Sequence, residues 1–330
     1  MSKTANAFRF ASDVLLDQCE ELELDVRFSG ALPDGFELLG PSGERIAVRP
    51  DERSASMLEQ VLRGLSINFE NLKLLTIGES KEIRLLTSKI AVAKLLPSVY
   101  SFTNNRYGVA AGTEYVRTMF CAQIFKEMAR RPGPKHLSNA FIGLVESQQG
   151  LLLAEHIVVP GNLEVRVKRY HIGSPLHRYR YAENHETAFG GPPLTRWTRF
   201  ERPVVCFDWR NPLADESGNR LADEPLSDDY ASVWIDNFSR AKQLARDTFE
   251  WIENLFAIRG LRLIDICFFI DRTGSVIFGE ISPDCMRVRS RAADDSEALD
   301  KDEWRSGGEA SAVLERYQKL YEIVFPKTSA

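Results

Sequence analysis

Apolar positions are densest near the C-terminal end of the chain. Residues 261–270 (LRLIDICFFI) are almost continuously apolar, too few to span a membrane and the right number for a buried strand. Asp271-Arg272-Thr273-Gly274 is turn chemistry, with Gly274 free to take positive φ. Residues 275–281 return as a second strand. Ser282-Pro283-Asp284 follows, then Arg287, Arg289 and Arg291. Acids at strand ends, a proline-fixed loop and clustered arginines suit an anion; an ordinary core hairpin with a charged exit fits the same residues.

Upstream of that hairpin, Phe238, Ala241, Leu244, Ala245, Phe249, Ile252, Leu255 and Phe256 recur mostly at three- and four-residue spacing. They predict a long amphipathic helix that Gly260 stops. Residues 203–209 (PVVCFDW) read as a strand ending at Arg210, and 211–229 as a polar loop with Asp215, Glu216, Asp223, Glu224, Asp228 and Asp229. Most of these acids are expected in solvent, with one or two available as metal ligand or base. Residues 163–170 (LEVRVKRY) read as a strand carrying Arg166, Lys168 and Arg169, turning at Gly173-Ser174-Pro175. With His177, Arg178 and Arg180 this basic cluster suits a phosphorylated small molecule, or equally a solvated strand edge. His171, His177 and His185 are not at metal-ligand spacing. Residues 114–130 are helical, with Val116, Met119, Phe120, Ile124 and Met128 on one stripe. Strands are expected at 90–94, 99–103, 141–145 and 151–156, with a turn over 104–108.

Residues 74–86 (LLTIGESKEIRLL) read as strand, bend, strand. At the bend Gly78 allows close backbone approach, Ser80 brings a hydroxyl and Lys81 a charge, a set able to cradle phosphate. Hairpins of this composition also occur with no phosphate to bind. Residues 1–70 predict a helix at 8–21, short strands at 36–39 and 45–48, and a helix at 54–65. They carry no recognisable chemistry; a lid, a dimer surface or plain packing are all open. The tail reads as a charged loop at 294–305 and a helix at 311–324.

Composition narrows the class. The 330 residues are 44% hydrophobic and 27% charged, and 42 Lys and Arg against 47 Asp and Glu give a net charge of −5. That argues against broad nucleic-acid or membrane binding while leaving room for a local basic pocket. Cys19, Cys121, Cys206, Cys267 and Cys285 are scattered without paired spacing, which suggests a reducing compartment. With no apolar signal core at the start and no membrane-length run, the expected location is cytoplasmic.

Taken together the motifs resemble the SAICAR synthetase family, whose members join aspartate to carboxyaminoimidazole ribonucleotide at the expense of ATP in purine synthesis. LLTIGESKEIRLL looks like the family's opening hairpin, LEVRVKRYHIGSP like its V-R-N-x-x-x-G-S segment, EISPDCMR like E-x-S-P-D-x-x-R, and LDKDEWR like D-K-D-x-F-R. The likeness runs from about residue 74 to 324. It implies an α+β fold with a β-rich, ATP-grasp-like nucleotide lobe at 71–158, a C-terminal α/β lobe at 159–330 and a site between them, residues 1–70 being an extension. It implies that Gly78, Ser80, Lys81 and Asp265 bind ATP, that Lys168, Ser174, Asp284, Arg287, Lys301 and Arg305 bind the ribonucleotide, and that Arg210, Asp223 and Glu280 serve catalysis, Glu280 also holding Mg²⁺. The reaction it implies makes an acyl phosphate that an amine attacks.

The departures fall on the metal side. After Asp265, where the family keeps a lysine and then a glutamate, stand Cys267 and Phe269; the acid before Glu280 is Gly279. Side chains two apart on a strand share a face, so Asp265, Cys267 and Phe269 line one side. An aromatic there cannot ligate Mg²⁺, which takes oxygen ligands. Asn105–Ala111 lacks both acids of the family's D-R-Y-S-x-x-D. The expected function is therefore an ATP-dependent carboxylate–amine ligase acting on a ribonucleotide or related heterocyclic carboxylate, with an amino acid or amine as co-substrate, suited to specialised nucleoside metabolism. The alternative is a ribonucleotide-binding protein, or an enzyme that no longer uses ATP, on the same fold. A structural partner subunit is a third reading with nothing to favour it. A homodimer is compatible with the sequence.

Overall fold

Along the chain, α1 (Lys3–Glu21) leads to β1 (Arg27–Leu32), β2 (Gly35–Leu39), β3 (Arg45–Val48), α2 (Met57–Gly64), β4 (Lys73–Ile77), β5 (Lys81–Leu85) and β6 (Ile90–Leu95). Then come β7 (Ser98–Ser101), β8 (Arg106–Val109), α3 (Thr113–Arg130), β9 (Phe141–Ser147), β10 (Gly150–His156), β11 (Pro160–Tyr170) and β12 (Arg199–Trp209). The rest is β13 (Glu224–Leu226), α4 (Asp228–Ala231), α5 (Phe238–Ala257), β14 (Leu261–Asp271), β15 (Ile277–Phe278), β16 (Met286–Ser290), α6 (Asp302–Arg305) and α7 (Ala310–Val324). This computed structural model describes residues 3–52, 55–101, 106–130, 137–173, 193–211, 214–218, 221, 223–291 and 297–326. Contacts gather the chain into two units, Met1–Leu96 with Ala140–Ile157, and Pro97–Asn139 with Val158–Ala330. The divisions thus fall at 96, 139 and 157, where the sequence suggested 70 and 158.

In the first unit, β1-β2-β3 form one antiparallel sheet and β4-β5-β6-β10-β9 another. The N-terminal 70 residues share their core with the second sheet. Leu15 and Cys19 of α1, Phe36, Leu38, Ile46 and Val48 of the first sheet, and Val61 and Leu62 of α2 join Val92, Val145 and Leu152 in one buried cluster. The Ser56 hydroxyl starts α2 by accepting from Glu59 N at 3.1 Å, satisfying one of the helix's otherwise unpaired amides. Met57, Leu58 and Leu65 pack beside Val61 and Leu62 as the predicted stripe requires.

The second unit is built on the sheet β13-β12-β11-β14-β15, with β16 also paired to β14. Alternation along β11 buries Leu163, Val165, Val167 and Arg169 on one face. That face meets α5: Phe207 of β12 packs on Phe238 at 4.7 Å between centroids, and Arg169 Nε donates to Glu253 at 2.8 Å. Phe249, Ile252 and Phe256 are fully buried on α5, each contributing about 1.5–3 kcal/mol by leaving water. The α5–β14 connection passes Gly260 at φ +72°. The β14–β15 turn is held by Asp271, whose carboxylate accepts from Thr273 N and Oγ1, Ser275 N and Val276 N. Gly274 takes φ +76°, and a Cβ there would stand 2.5 Å from Asn237 O.

Two local expectations are corrected. Residues 106–108 are not a turn: they belong to β8, paired with β7 through Tyr100↔Tyr107. Gly108 serves close packing, since an added Cβ would lie 2.4 Å from the Trp304 ring. Within the acidic loop, 224–226 form an edge strand, Leu226 pairing with Phe207; one apolar residue among acids carries too little periodicity to announce it. Among the described residues no helix is long and apolar enough to cross a membrane.

Candidate functional site

The face of the second unit's sheet opposite α5 carries polar side chains in registered rows. Lys168 of β11 stands between Val204 of β12 and Asp265 of β14, and Asp265 in turn opposite Arg287 of β16. In the next row Arg166 lies between Cys206 and Cys267, and beyond it Glu164 between Asp208 and Phe269. The period of two therefore places Asp265, Cys267 and Phe269 on one face with Lys168 and Arg166. Phe269 packs on Phe278 at 5.6 Å.

Asp265 joins two cations. Its Oδ2 accepts from Lys168 Nζ at 2.5 Å and from Arg287 Nη1 at 2.7 Å. Lys168 also donates to Ile172 O at 3.1 Å. Burial alone would raise the Asp265 carboxyl, but Arg287 and then Lys168 outweigh it and bring it down to about 2. Lys168 shares that carboxylate with Arg287, so burial keeps its ammonium below the ordinary lysine value. Arg287 Nε reaches Asp302 at 3.4 Å. Asp302 also pairs with Arg289 and Arg305, while the fully buried Asp300 accepts from Val288 N and Arg289 Nη1, both at 2.8 Å.

A second cluster surrounds the 3-10 turn Pro283–Cys285. Ser282 Oγ opens it by accepting from Asp284 N at 3.2 Å. Asp284 accepts from Lys301 Nζ and from the Tyr317 hydroxyl, both at 2.8 Å. Burial opposes its charge, and Lys301 and then Arg117 hold the carboxyl far below its usual range. Arg117 of α3 grips Glu280 with two bonds, Nε to Oε1 at 2.8 Å and Nη2 to Oε2 at 2.9 Å, and Ser282 Oγ donates to the same Oε1 at 2.5 Å.

These depressed carboxyls set an acid limb. An Asp whose folded pKa lies below its unfolded value of about 3.9 stabilises the fold above that value and loses the contribution as pH falls through the folded pKa. Asp265 and Asp284 each act in that sense. Urea midpoints are expected to fall steeply between about pH 4 and pH 2, and Asp284→Asn should flatten that slope. A slope unchanged by the substitution would refute the assignment.

Gly173 lies against this network. It takes φ +78°, and a Cβ there would meet the Arg287 guanidinium at 2.8 Å. Gly173→Ala should cost about 1–2 kcal/mol from the left-handed backbone alone. It should also displace Arg287 from Asp265, read as a loss in urea denaturation larger than that backbone cost.

Of the residues the sequence singled out, the structure brings together Lys168, Asp265, Asp284, Arg287, Lys301 and Arg305. Asp265, expected beside ATP, sits between two residues expected to hold the ribonucleotide. Arg210, exposed at the end of β12, stands in the field of Glu164 and Asp223. Ser174 lies outside the described residues. Gly78, Ser80 and Lys81 belong to the first unit, at the tip of β4–β5, where Gly78 N donates to Lys81 O at 2.9 Å and Leu96 N to Ser80 O at 2.8 Å. The Gly78 amide thus closes the hairpin.

The acids do not fit a ready-made Mg²⁺ cage. Both Glu280 oxygens are engaged by Arg117, and among the described residues no three of His, Cys, Asp and Glu converge on a metal position. Arg117 and Tyr317 were not singled out in the sequence, which marked Gly173 only as part of a turn. A signal existed for Arg117: it is four residues from Cys121 and three from Phe120 on the apolar side of α3.

Comparison with known proteins agrees with this architecture. The family model described as SAICAR synthetase matches residues 108–322. A bifunctional cordycepin biosynthesis cluster protein 3 from Cordyceps militaris is 27% identical over 292 residues, covering 74% of this chain and 32% of that one, so this chain spans about a third of its length. A phosphoribosylaminoimidazole-succinocarboxamide synthase from Methanocaldococcus jannaschii is 24% identical over 249 residues, covering 74% and 91%. Among solved structures, a SAICAR synthetase (Type-2) in complex with ADP superposes with a TM-score of 0.61 at 21% identity, covering 77% of this chain and 97% of that one. The Saccharomyces cerevisiae SAICAR synthase complexed with SAICAR gives 0.58 at 15% identity, covering 79% and 97%. The α+β fold is that of these enzymes, and the chain belongs to the SAICAR synthetase family, a family of ATP-dependent ligases.

Proposed function

We propose that this protein is an ATP-dependent carboxylate–amine ligase acting on a ribonucleotide or a related heterocyclic carboxylate. The observation that carries the reading is the Lys168–Asp265–Arg287 row, joined through Asp302 to Arg305 and flanked by Asp284–Lys301. Buried and half-buried cations converge there on one sheet face. The likeness to a Cordyceps cordycepin biosynthesis cluster protein favours specialised nucleoside metabolism over core purine synthesis.

In this reading Arg287, Lys168 and Lys301 hold the ribonucleotide's anionic groups, partly exchanging their carboxylate partners for the ligand. The Lys81 side chain holds the nucleotide phosphates. ATP supplies the phosphoryl group that converts the substrate carboxylate to an acyl phosphate; attack by the amine then releases phosphate. Arg210 stabilises the negative charge that develops in transfer, a role that depends on positioning, and Asp223, whose field reaches Arg210, orients the guanidinium or accepts a proton from the amine. A cytoplasmic location and a homodimer remain part of the proposal.

The test is ADP release by the purified chain against a panel of ribonucleotide carboxylates and amines. ADP that requires both partners supports the ligase, and Lys81→Ala should abolish it. A second reading, a ribonucleotide-binding protein without phosphoryl transfer, draws on the closure of Glu280 by Arg117 and on Phe269 in the place of a metal acid. No ADP from any pair, together with calorimetric binding of ribonucleotide but not of ATP with or without Mg²⁺, would decide for it.

A further inference from the structure

Neither the ion-pair network nor the proposed chemistry uses Cys267 and Cys285. Across β14 and β16, Asp265 is opposite Arg287 and Ile266 opposite Met286. The pairing ends there, and Cys267 and Cys285 are the next residues on the two sides, Cys285 closing the 3-10 turn Pro283–Cys285. Directly paired antiparallel residues such as Ile266 and Met286, the neighbours of the two cysteines, have Cα atoms about 4.5–5.5 Å apart, and a disulfide bridges a span of about 4.4–6.8 Å. Cys267 Sγ donates to Cys285 O at 3.3 Å, and Cys285 Sγ lies 4.0 Å from Ser282 Oγ. Both are free thiols and half-buried. The other cysteines stand apart: Cys19 and Cys121 are buried, Cys121 accepting from Ile281 N at 3.3 Å, while Cys206 is separated from Cys267 by Arg166.

We infer that Cys267 and Cys285 form a dithiol that hydrogen peroxide closes to a disulfide across β14 and the segment leading into β16. One thiol attacks the peroxide, giving a sulfenic acid and water; the second thiol displaces the hydroxyl as a second water and leaves the disulfide. Two thiols are oxidised and one peroxide is reduced to water. Hydrogen bonding to Cys285 and then burial push the Cys267 thiol up from its ordinary value. Asp284 and Arg287 lie on either side of Cys285, so closure would stiffen the segment that presents both. The inference does not depend on the ligase reading, because it concerns thiol chemistry in the protein without substrate.

The test treats the full chain with hydrogen peroxide, alkylates the remaining thiols and maps the peptides by mass spectrometry. A Cys267–Cys285 linked pair, reversed by dithiothreitol, is expected, with Cys206 still alkylated. Cys267→Ser and Cys285→Ser should each remove it. Phenylarsine oxide, which needs two thiols within reach, should bind the native chain and neither variant. Oxidation of either cysteine to sulfinic acid without pairing, bridging to Cys206, or arsenical binding that survives either substitution would each overturn the inference.

Discussion

Arg117→Ala should lower stability by about 3–5 kcal/mol, the range for removing one partner of a buried ion pair. Arg117 is 1% exposed and Glu280 6%. In the variant the Glu280 carboxylate would keep Ser282 as a donor and lose both guanidinium bonds. The penalty arises from the stranded charge, so it should shrink when the charge is removed. Arg117→Met with Glu280→Gln is therefore expected to be more stable than Arg117→Met alone, a coupling that a double-mutant cycle in urea would measure. A change within about 0.5 kcal/mol for Arg117→Ala, the scale of an ordinary surface substitution, would contradict the geometry.

Asp265→Asn should be comparably severe, again about 3–5 kcal/mol, and has a pH signature. Lys168 is 2% exposed and would retain the Ile172 carbonyl, with Arg287 still beside it and no carboxylate between them. Its pKa, already lowered by burial, would fall further once Asp265 no longer raises it. A lysine with a folded pKa below its unfolded value stabilises the fold above that unfolded value and loses the contribution as pH falls. The deficit of Asp265→Asn relative to the native chain should thus narrow as pH rises from 7 toward about 10. An anion should act similarly: ribose 5-phosphate is expected to raise the variant's melting temperature more than the native chain's. A deficit independent of both pH and anion would mean that the loss reflects packing and not the stranded ammonium.

Much of the second unit's framework was legible because its signals are local. The continuous apolar run of β14, the turn set at Asp271–Gly274 and the spacing from Phe238 to Phe256 each lie within one element, and each formed as its pattern requires. Residues near one another through short segments, such as Asp284 and Lys301, were reached by resemblance. What stayed hidden depends on pairing across distance. Nothing local says that Lys168 faces Asp265, because register between β11 and β14 is fixed only when both strands pack on α5. Nor does α3 reveal that Arg117 will meet Glu280. The grouping of residues 97–139 with the C-terminal half was hidden for a similar reason. It rests on packing such as Phe120 against Tyr321 and Phe325, at 6.4 and 5.3 Å.

The same interleaving has a consequence for synthesis. The first unit has all its strands once residue 157 has left the ribosome, so it is free to fold while the second unit still lacks its sheet. Arg117 by then has been made, but its partner is 163 residues further on. At about 5–20 residues per second that interval is about 8–33 s. Through it, the side of α3 carrying Arg117, Phe120, Cys121 and Ile124 has nothing of its final surroundings from Glu280 or α7 to close on. A nascent chain stalled after residue 157 has left the ribosome and before Glu280 has been made should therefore present a finished first unit and an uncovered α3, a stage exposed to chaperones and proteases.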